Sequence, residues 1–307
     1  MTNKQPVNLA ASIHQRLLNL SVQRQGDPNL VLTRYALERL LYRLACSNYS
    51  HQFILKGAML FALWTDAAYR PTRDLDLLGF GDSSSEGLNE VFRQVCLSAV
   101  EPDGLSFEPN SIRISEIREG QTYAGQRVKL VAMMGLSRIP LQVDVGFGDE
   151  VTPEATQIEF PTLLDLPAPR IRAYPPETVV AEKLEAMVVL GMQNSRMKDY
   201  YDLWIIARQF SFYGKTLVAA VQATFERRGT NVPSTVPTAL SDEFGNDEYK
   251  DTQWKAFLKR SQLEEMGVEM SQVVKELQIF LIPILNAAVI GKEFRKSWTE
   301  GGPWRSK

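Results

Sequence analysis

Residues 73–78 alternate charged and apolar side chains, which is the period-two pattern of a strand with one buried face. Side chains two apart on a strand point to the same face, so Asp74 and Asp76 project together while Leu75 and Leu77 pack behind them. Two adjacent carboxylates repel each other unless a cation lies between them. Oxygen ligands at this spacing suit Mg²⁺, which often takes substrate phosphates as further ligands. The alternative is a strand edge with two solvated aspartates.

Three later segments also alternate, and together with the Asp74–Asp76 strand they predict a sheet. They are residues 112–117, 128–133 and 140–145. Glycine-containing turns at 120–125 and 135–138 separate them, which favours hairpins and antiparallel neighbours. We therefore expect a mixed or antiparallel sheet flanked by helices, of the α+β class.

The second half of the chain has helical periodicity instead. Five prolines between 160 and 176 predict a linker, and Pro176 is well placed as the first residue of a helix. We expect a lobe with N-terminal helices at 1–165 and a helical bundle lobe at 176–307.

Composition excludes several classes of site and partner. Two histidines and two separated cysteines argue against a histidine-based metal site, a zinc site and a Ser-His-Asp triad, so carboxylates and lysines must carry any chemistry. The net charge of −2 requires a local patch for any polyanionic partner. No apolar run is expected to approach the ~20 residues of a membrane span, and no signal peptide is recognised. We expect a cytoplasmic protein with no membrane partner.

A third carboxylate, Asp144, lies on the predicted strand 140–145. Its alternation with Val143 and Val145 puts Asp144 on the polar face. Facing Asp74 and Asp76 from a neighbouring strand, it would complete a metal clamp for phosphoryl transfer. Taken alone, it is equally an ordinary exposed strand aspartate.

Two helical segments add charged groups. Lys183 can present a point charge to a triphosphate, or it can be a surface lysine paired with Glu177 or Glu185. Asp199 and Asp202 share a helix face, and the alternative for them is a solvated helix N-terminus in which Lys198 pairs with Asp202.

Four short motifs occur together in order. They are Leu55-Lys-Gly-Ala58, Arg70-x-Thr-Arg-Asp-Leu-Asp76, Glu182-Lys-Leu184 and Lys198-Asp-Tyr-Tyr-Asp-Leu203. Over residues 30–210 the chain resembles the AbiEii/AbiGii toxin family of nucleotidyltransferases, within the DNA polymerase beta-like superfamily. The family usually has Gly-Gly or Gly-Ser at the first turn. Here Gly57-Ala58 lacks the hydroxyl, which puts a side-chain phosphate contact at position 58 in doubt.

The resemblance implies a metal-dependent enzyme that uses a nucleoside triphosphate. Asp74 and Asp76 would hold Mg²⁺, with Mn²⁺ as the alternative ion, and Asp144 would be the third ligand or the general base. Asp199 or Asp202 can take the base role instead, with Lys183 also lining the site. The nucleotide-binding residues would be Lys56, Gly57, Ala58, Arg70, Thr72, Arg73 and Lys198, although Arg73 can equally brace the acids.

The resemblance also suggests partners. Some family members transfer nucleotides to the 3′ end of tRNA, and members act as toxins with a cognate antitoxin. An RNA acceptor would need a basic surface, for which the C-terminal tail with Trp298 and Trp304 is one option and a disordered tail the alternative. The rival functions are transfer to a protein or small molecule, and a binding module with a degenerate site, which only Ala58 favours.

Overall fold

The chain folds into two compact units in the computed structural model, which describes residues 8–64, 70–117, 125–291 and 293–306. The first unit runs to Gly148 and also includes Thr156–Ala173. The second comprises Asp149–Ala155 and the residues from Tyr174 onward. Each unit is described by itself below.

The first unit is organised around a sheet. Its strands are β1 (Phe53–Lys56), β2 (Asp74–Gly79), β3 (Ser106–Ile117), β4 (Gly125–Met134), β5 (Ser137–Phe147), β6 (Thr156–Glu159) and β7 (Arg170–Ala173). Among the described residues they form one seven-stranded sheet in the order β3-β4-β5-β2-β1-β7-β6. The pairs β2–β5 and β1–β7 are parallel and the others antiparallel, so the expected α+β class with a mixed sheet is confirmed. The predicted turn between β3 and β4 falls mostly outside the described residues.

Helices cover the apolar face of this sheet. They are α1 (Leu9–Gln23), α2 (Pro28–Cys46) and α4 (Ser85–Leu97), and a short helix α3 (Phe61–Trp64) follows the turn after β1. The side chains of Asn8, Asp27 and Ser84 accept backbone N–H bonds at the starts of α1, α2 and α4. Helices α1, α2 and α4 contact β4, β5 and β3 respectively. The opposite, polar face carries the aspartates.

A buried charged cluster in α2 fixes a loop of the same unit. Arg43 binds the Asp103 carboxylate with two N–H donors, at 2.5 and 3.0 Å, and Arg39 adds a third at 3.3 Å. Arg39 also donates to the Pro167 carbonyl at 2.8 Å, and Glu38 accepts from the Leu163 N–H at 2.8 Å. Because unpaired buried charges are costly, this cluster holds the loop firmly to α2.

Most of the proline-rich segment 160–176, where a linker is expected, belongs to the first unit, and the boundary between the units falls after Ala173. It contains β7, which pairs in parallel with β1, and its Phe160 is buried in the first unit. Hydrogen bonds from Arg39 and to Glu38 attach it to α2. Prolines restrict the backbone conformation of this segment. The hydrogen bonds that hold it in place come from Glu38 and Arg39 on α2, which is distant in sequence.

The second unit is mainly helical. Its elements are α5 (Pro176–Leu190), α6 (Met197–Gln209), β8 (Phe212–Tyr213), α7 (Gly214–Arg227), α8 (Asp242–Gly245), α9 (Glu248–Arg260), α10 (Met270–Ile290), β9 (Lys296–Trp298) and β10 (Trp304–Ser306). Helix α10 contacts α6, α7, α8 and α9 and lies at the centre of the unit. The strands form a small sheet in the order β10-β9-β8.

Helix α10 departs from the expectation about apolar runs. Its 21 residues are long and apolar enough to cross a membrane by length and composition, with half of the apolar stretch buried inside the unit. Lys275 and Glu276 are its only ionisable residues. Its contacts with four other helices account for this composition, because a helix at the centre of a bundle is apolar on most sides.

The C-terminal tail does not offer its tryptophans as a stacking surface. Trp298 is buried against Phe280, and its indole N–H donates to the Ala207 carbonyl at 2.7 Å. The Trp304 indole donates to the Phe280 carbonyl at 2.9 Å. Both rings belong to the packing of the small sheet on α10, so neither the option that they stack on RNA bases nor the alternative of a disordered tail agrees with the structure of residues 293–306.

Glu38 should make stability depend on pH. Burial raises the pKa of this carboxyl to about 7, although Leu163 and Arg39 favour its charged form. The folded pKa exceeds the unfolded value of 4.5. The contribution of Glu38 to the free energy of unfolding is therefore complete below pH 4.5 and is lost as the pH rises through about 7.

We expect Glu38→Gln to remove a slope of up to about 1.4 kcal/mol per pH unit in the free energy of unfolding across that window. Urea denaturation at several pH values measures it. Glu116→Gln, at an exposed glutamate, should keep the wild-type slope. Parallel pH profiles for wild type and Glu38→Gln would contradict the assignment.

Candidate active site

Three carboxylates converge on the polar face of the first unit's sheet. One oxygen from each of Asp74, Asp76 and Asp144 lies within 4.8 Å of the others, and all three residues are half-buried. This donor set consists of carboxylate oxygens only, which fits a hard divalent cation such as Mg²⁺ or Mn²⁺. The geometry is the one expected from the strand alternation, and the metal role stays a prediction.

Strand register explains why the aspartates meet. Asp76 on β2 pairs with Asp144 on the parallel strand β5, and with Lys56 on the antiparallel strand β1. Asp144 pairs in turn with Arg127 on β4. Directly paired residues point to the same face of a sheet. Within one transverse row, the two acidic residues Asp76 and Asp144 therefore lie between the cationic residues Lys56 and Arg127.

Arg127 holds Asp144 in a bidentate ion pair. Its Nε donates to Oδ1 at 2.9 Å and its Nη2 donates to Oδ2 at 2.7 Å. The Gln142 amide also donates to Oδ2 at 3.3 Å. A planar guanidinium bound in this way fixes the orientation of the carboxylate and neutralises part of its charge.

Thr72 has a similar relation to Asp74. Its hydroxyl donates to Oδ1 of Asp74 at 2.5 Å. Because Thr72 comes two residues before the strand aspartate, the contact is local and orients the side chain at the start of β2. Thr72 was predicted to bind nucleotide, and the hydrogen bond shows that its hydroxyl contacts an acid of the cluster.

The turn after β1 lies against the acids. Gly57 has a φ of +72°, and a Cβ at this position would overlap the carboxylate of Asp76. Glycine is therefore required both by the backbone conformation and by the close approach of Asp76. Ala58 is buried, so its side chain cannot contact a phosphate and only the backbone remains available there.

A second charged cluster lies in the helical unit. The Lys183 ammonium on α5 lies 2.5 Å from Oδ1 of Asp199 and 2.8 Å from Oδ2 of Asp202, both on α6. Asp199 and Asp202 are buried. The expectations of a solvated α6 start, of a Lys198–Asp202 pair and of a surface lysine paired with Glu177 or Glu185 are wrong. Packing of α5 on α6 buries these charges together.

Glu182 belongs to a different cluster, centred on Arg228. The guanidinium lies 3.0 Å from Asp149, 2.9 Å from Glu185 and 3.5 Å from Glu182. Burial lowers the pKa of Arg228, but the three carboxylates outweigh this and raise it overall. The cluster ties residue 149, which is distant in sequence, to α5, and so supports the helix that carries Lys183.

The remaining predicted nucleotide ligands are more exposed. The Arg73 side chain is 75% exposed and lies 4.0 Å from Asp27, so it does not brace the aspartates of β2. Lys198 is exposed in the first turn of α6, and Arg70 is half-buried. The structure thus brings together two separate groups, Asp74 with Asp76 and Asp144 in the first unit, and Lys183 with Asp199 and Asp202 in the second.

Comparison with known proteins decides the family. A model of the family described as "Nucleotidyl transferase AbiEii toxin, Type IV TA system" matches residues 39–272. The chain belongs to the AbiEii nucleotidyltransferase toxin family. The match extends beyond the motifs that carried the resemblance and includes α9. As a family member the protein is a nucleotidyltransferase of the type IV toxin–antitoxin class, with a nucleotide substrate and an implied cognate antitoxin.

Two solved structures share the fold. Both come from Helicobacter pylori, are 14% identical to this chain and align with a TM-score of 0.51. The alignment with JHP933 covers 86% of this chain and 95% of JHP933. The alignment with a protein described as a proposed nucleotidyltransferase covers 87% of this chain and 100% of that protein. A search among curated proteins finds no match. At this identity the likeness supports the fold alone.

Gly57→Ala should distort the site. The substitution combines a left-handed backbone conformation, which costs a residue with a Cβ about 1–2 kcal/mol, with overlap onto Asp76. Gly81→Ala is a matched control, because Gly81 also has positive φ but has no atom within 4 Å of an added Cβ. We expect Gly57→Ala to lower the free energy of urea unfolding more than Gly81→Ala. Equal losses would show that Asp76 does not constrain the turn.

Lys183→Met should destabilise the helical unit. It removes the ammonium that two buried carboxylates share, a change that typically costs roughly 3–5 kcal/mol. Lys215→Met removes an exposed lysine paired with Glu293 and should cost at most about 1 kcal/mol. Thermal and urea unfolding measure both. Similar stabilities for the two variants would show that leaving Asp199 and Asp202 buried without the ammonium carries no penalty.

Proposed function

We propose that this protein is a Mg²⁺-dependent nucleotidyltransferase that transfers a nucleotide from a nucleoside triphosphate to RNA, with the 3′ end of tRNA as the acceptor. The observation that carries the proposal is the convergence of Asp74, Asp76 and Asp144 within 4.8 Å on one sheet face. Family membership supplies the nucleotide-transfer activity. The metal and the acceptor are the parts that we add.

The three aspartates would hold the divalent cation. Mg²⁺, or Mn²⁺ in its place, neutralises charge on the α-phosphate and the departing pyrophosphate when bound. Arg127 and Thr72 keep Asp144 and Asp74 oriented before any ligand arrives. Pre-oriented ligands lower the cost of ordering the site at the moment of binding.

The transfer itself requires a proton acceptor. The acceptor hydroxyl forms a bond to the α-phosphorus, the bond from that phosphorus to pyrophosphate breaks, and the hydroxyl proton passes to a carboxylate. We assign this base role to Asp144 in addition to its place in the cation site, because its side chain is 17% exposed, whereas Asp202 is fully buried and Asp199 nearly so. A base must touch the acceptor, and accessibility therefore favours Asp144.

Other side chains would position the nucleotide. Lys56 belongs to the same transverse row as Asp76, and the turn at Gly57 and Ala58 approaches that carboxylate closely. Arg70, the exposed Arg73 and the Thr72 backbone are proposed as further phosphate contacts in the first unit, and Lys198 stays a proposed nucleotide ligand of the second. Lys183 is proposed to act by holding Asp199 and Asp202 in one arrangement.

The biological setting follows from the family. A type IV toxin that consumes nucleoside triphosphates and modifies tRNA would act in the cytoplasm, in company with its antitoxin, and phage defence is one use of such a system. Transfer to a protein or a small molecule is the rival outcome. The three converging carboxylates weigh against a degenerate binding module, since a decayed site has no reason to retain them.

Asp76→Asn tests the proposal directly. The wild-type protein is mixed with each labelled nucleoside triphosphate, total RNA and Mg²⁺, and the label is followed on RNA and on protein. We expect label on tRNA, and a loss of at least about 100-fold in Asp76→Asn, because metal ligands contribute several kcal/mol to transfer.

Asp165→Asn is the matched control, since it changes an exposed aspartate of the same unit and should retain activity. Addition of a chelator should stop the wild-type reaction. Label on protein alone would overturn the RNA acceptor, and undiminished labelling by Asp76→Asn would overturn the assignment of the aspartates.

A further inference from the structure

One side of α9 combines an exposed aromatic residue with basic residues. Tyr249, Gln253, Ala256 and Arg260 recur at helical spacing, so they form a single stripe. Tyr249 is 67% exposed, and Ala256 and Arg260 are exposed as well. Lys259 is exposed at the edge of this stripe. We call these residues the α9 stripe.

The α9 stripe borders a cavity in the helical unit. The cavity has a volume of about 620 Å³ and is lined by Ser195, Gln253, Ala256, Lys259 and Arg260. It is open to solvent, and its lining combines two cations with a hydroxyl and an amide. Such a lining provides positive charge and neutral hydrogen-bonding groups, as a phosphodiester backbone requires.

The charge of the stripe is available to a ligand. In the described part of the chain, no carboxylate lies within ion-pair distance of Lys259 or Arg260, and Arg260 donates only to the carbonyl of Ala256 in its own helix. By contrast, Lys255 on another side of α9 is paired with Asp251 at 2.6 Å. The acids of α9 therefore do not neutralise the stripe.

A buried lysine on α9 attaches the helix that carries the stripe to the rest of the unit. The buried Lys250 donates to the carbonyl of Asn194 at 3.0 Å, which attaches α9 to the residue before Ser195. Its ammonium also lies 5.7 Å from the Tyr249 ring centroid. An exposed tyrosine ring on a helix attached in this way can stack on a base with little loss of conformational freedom.

We propose that the α9 stripe docks a single-stranded segment of the RNA acceptor. Tyr249 stacks on an unpaired base, while Lys259 and Arg260 contact phosphates along a path roughly 16 Å long. Stacking on an aromatic ring requires a base outside a duplex, which favours a single strand over paired RNA. The choice of RNA rests on the proposed function; the stripe itself rests on the charges, exposure and cavity described above.

Binding of a labelled single-stranded RNA of mixed sequence, followed by fluorescence anisotropy over a range of NaCl concentrations, tests the stripe. The double variant Lys259→Gln/Arg260→Gln should weaken binding and reduce the slope of log K against log salt by about 1.4, as loss of two phosphate contacts to a single strand predicts. The control Lys255→Gln/Lys275→Gln removes the same charge from exposed lysines elsewhere and should bind as wild type does.

Tyr249 is tested separately. Tyr249→Ala should weaken binding at least about 5-fold, whereas Tyr249→Phe should bind as wild type does because the ring remains. Thermal unfolding confirms that each variant is folded. Wild-type affinity and salt slope in both Tyr249→Ala and the double cation variant would overturn the proposal, as would failure of the wild-type protein to bind this RNA.

The outcome is separable from that of the proposed function, because binding is measured without nucleotide and also in Asp76→Asn. If RNA is labelled in the transfer assay but the stripe variants bind like wild type, the stripe is wrong and the transfer function stands. If the stripe variants lose binding while no preparation labels RNA, the stripe stands and the transfer function is wrong.

Discussion

The transverse row of Lys56, Asp76, Asp144 and Arg127 is the arrangement on which the candidate site depends. Two carboxylates on adjacent strands repel each other, and Asp74 adds a third nearby. The parallel pairing of β2 with β5 nevertheless holds them on one face, because the apolar residues between them are buried on the other. A slip of one residue in this register would place an aspartate side chain on the buried face of the sheet. The sheet therefore stabilises an arrangement that favours a bound cation.

Charged clusters also hold the supporting elements in place. Arg39 and Arg43 bind Asp103 beneath the first unit's sheet, and Arg228 joins three acids in the second unit. Lys183 plays the corresponding role for Asp199 and Asp202. Buried ion pairs contribute little net stability when intact, but removal of one partner is costly. Such clusters are therefore better understood as fixing the geometry of each unit than as stabilising it.

The parts of the fold that depend on short-range periodicity could be predicted from the sequence. The β2 alternation indicated that Asp74 and Asp76 share a face, and the α+β class followed from the same patterns. The Arg127–Asp144 pair could not be predicted, because it depends on the register between β4 and β5. Nor could the burial of Asp202, which requires the packing of α5 on α6. The packing of Trp298 and Trp304 could not be predicted either, because strands of three residues each carry little sequence signal.

Direct measurement of metal binding tests the central claim, that Asp74, Asp76 and Asp144 form one cation site. Mn²⁺ titrations followed by electron paramagnetic resonance, without nucleotide, compare wild type with Asp74→Asn, Asp76→Asn and Asp144→Asn. Loss of a carboxylate ligand should weaken Mn²⁺ binding by at least about 10-fold in each variant, since each removes a charge from the same site. Asp165→Asn should leave it unchanged. Wild-type Mn²⁺ affinity in all three site variants would contradict the account.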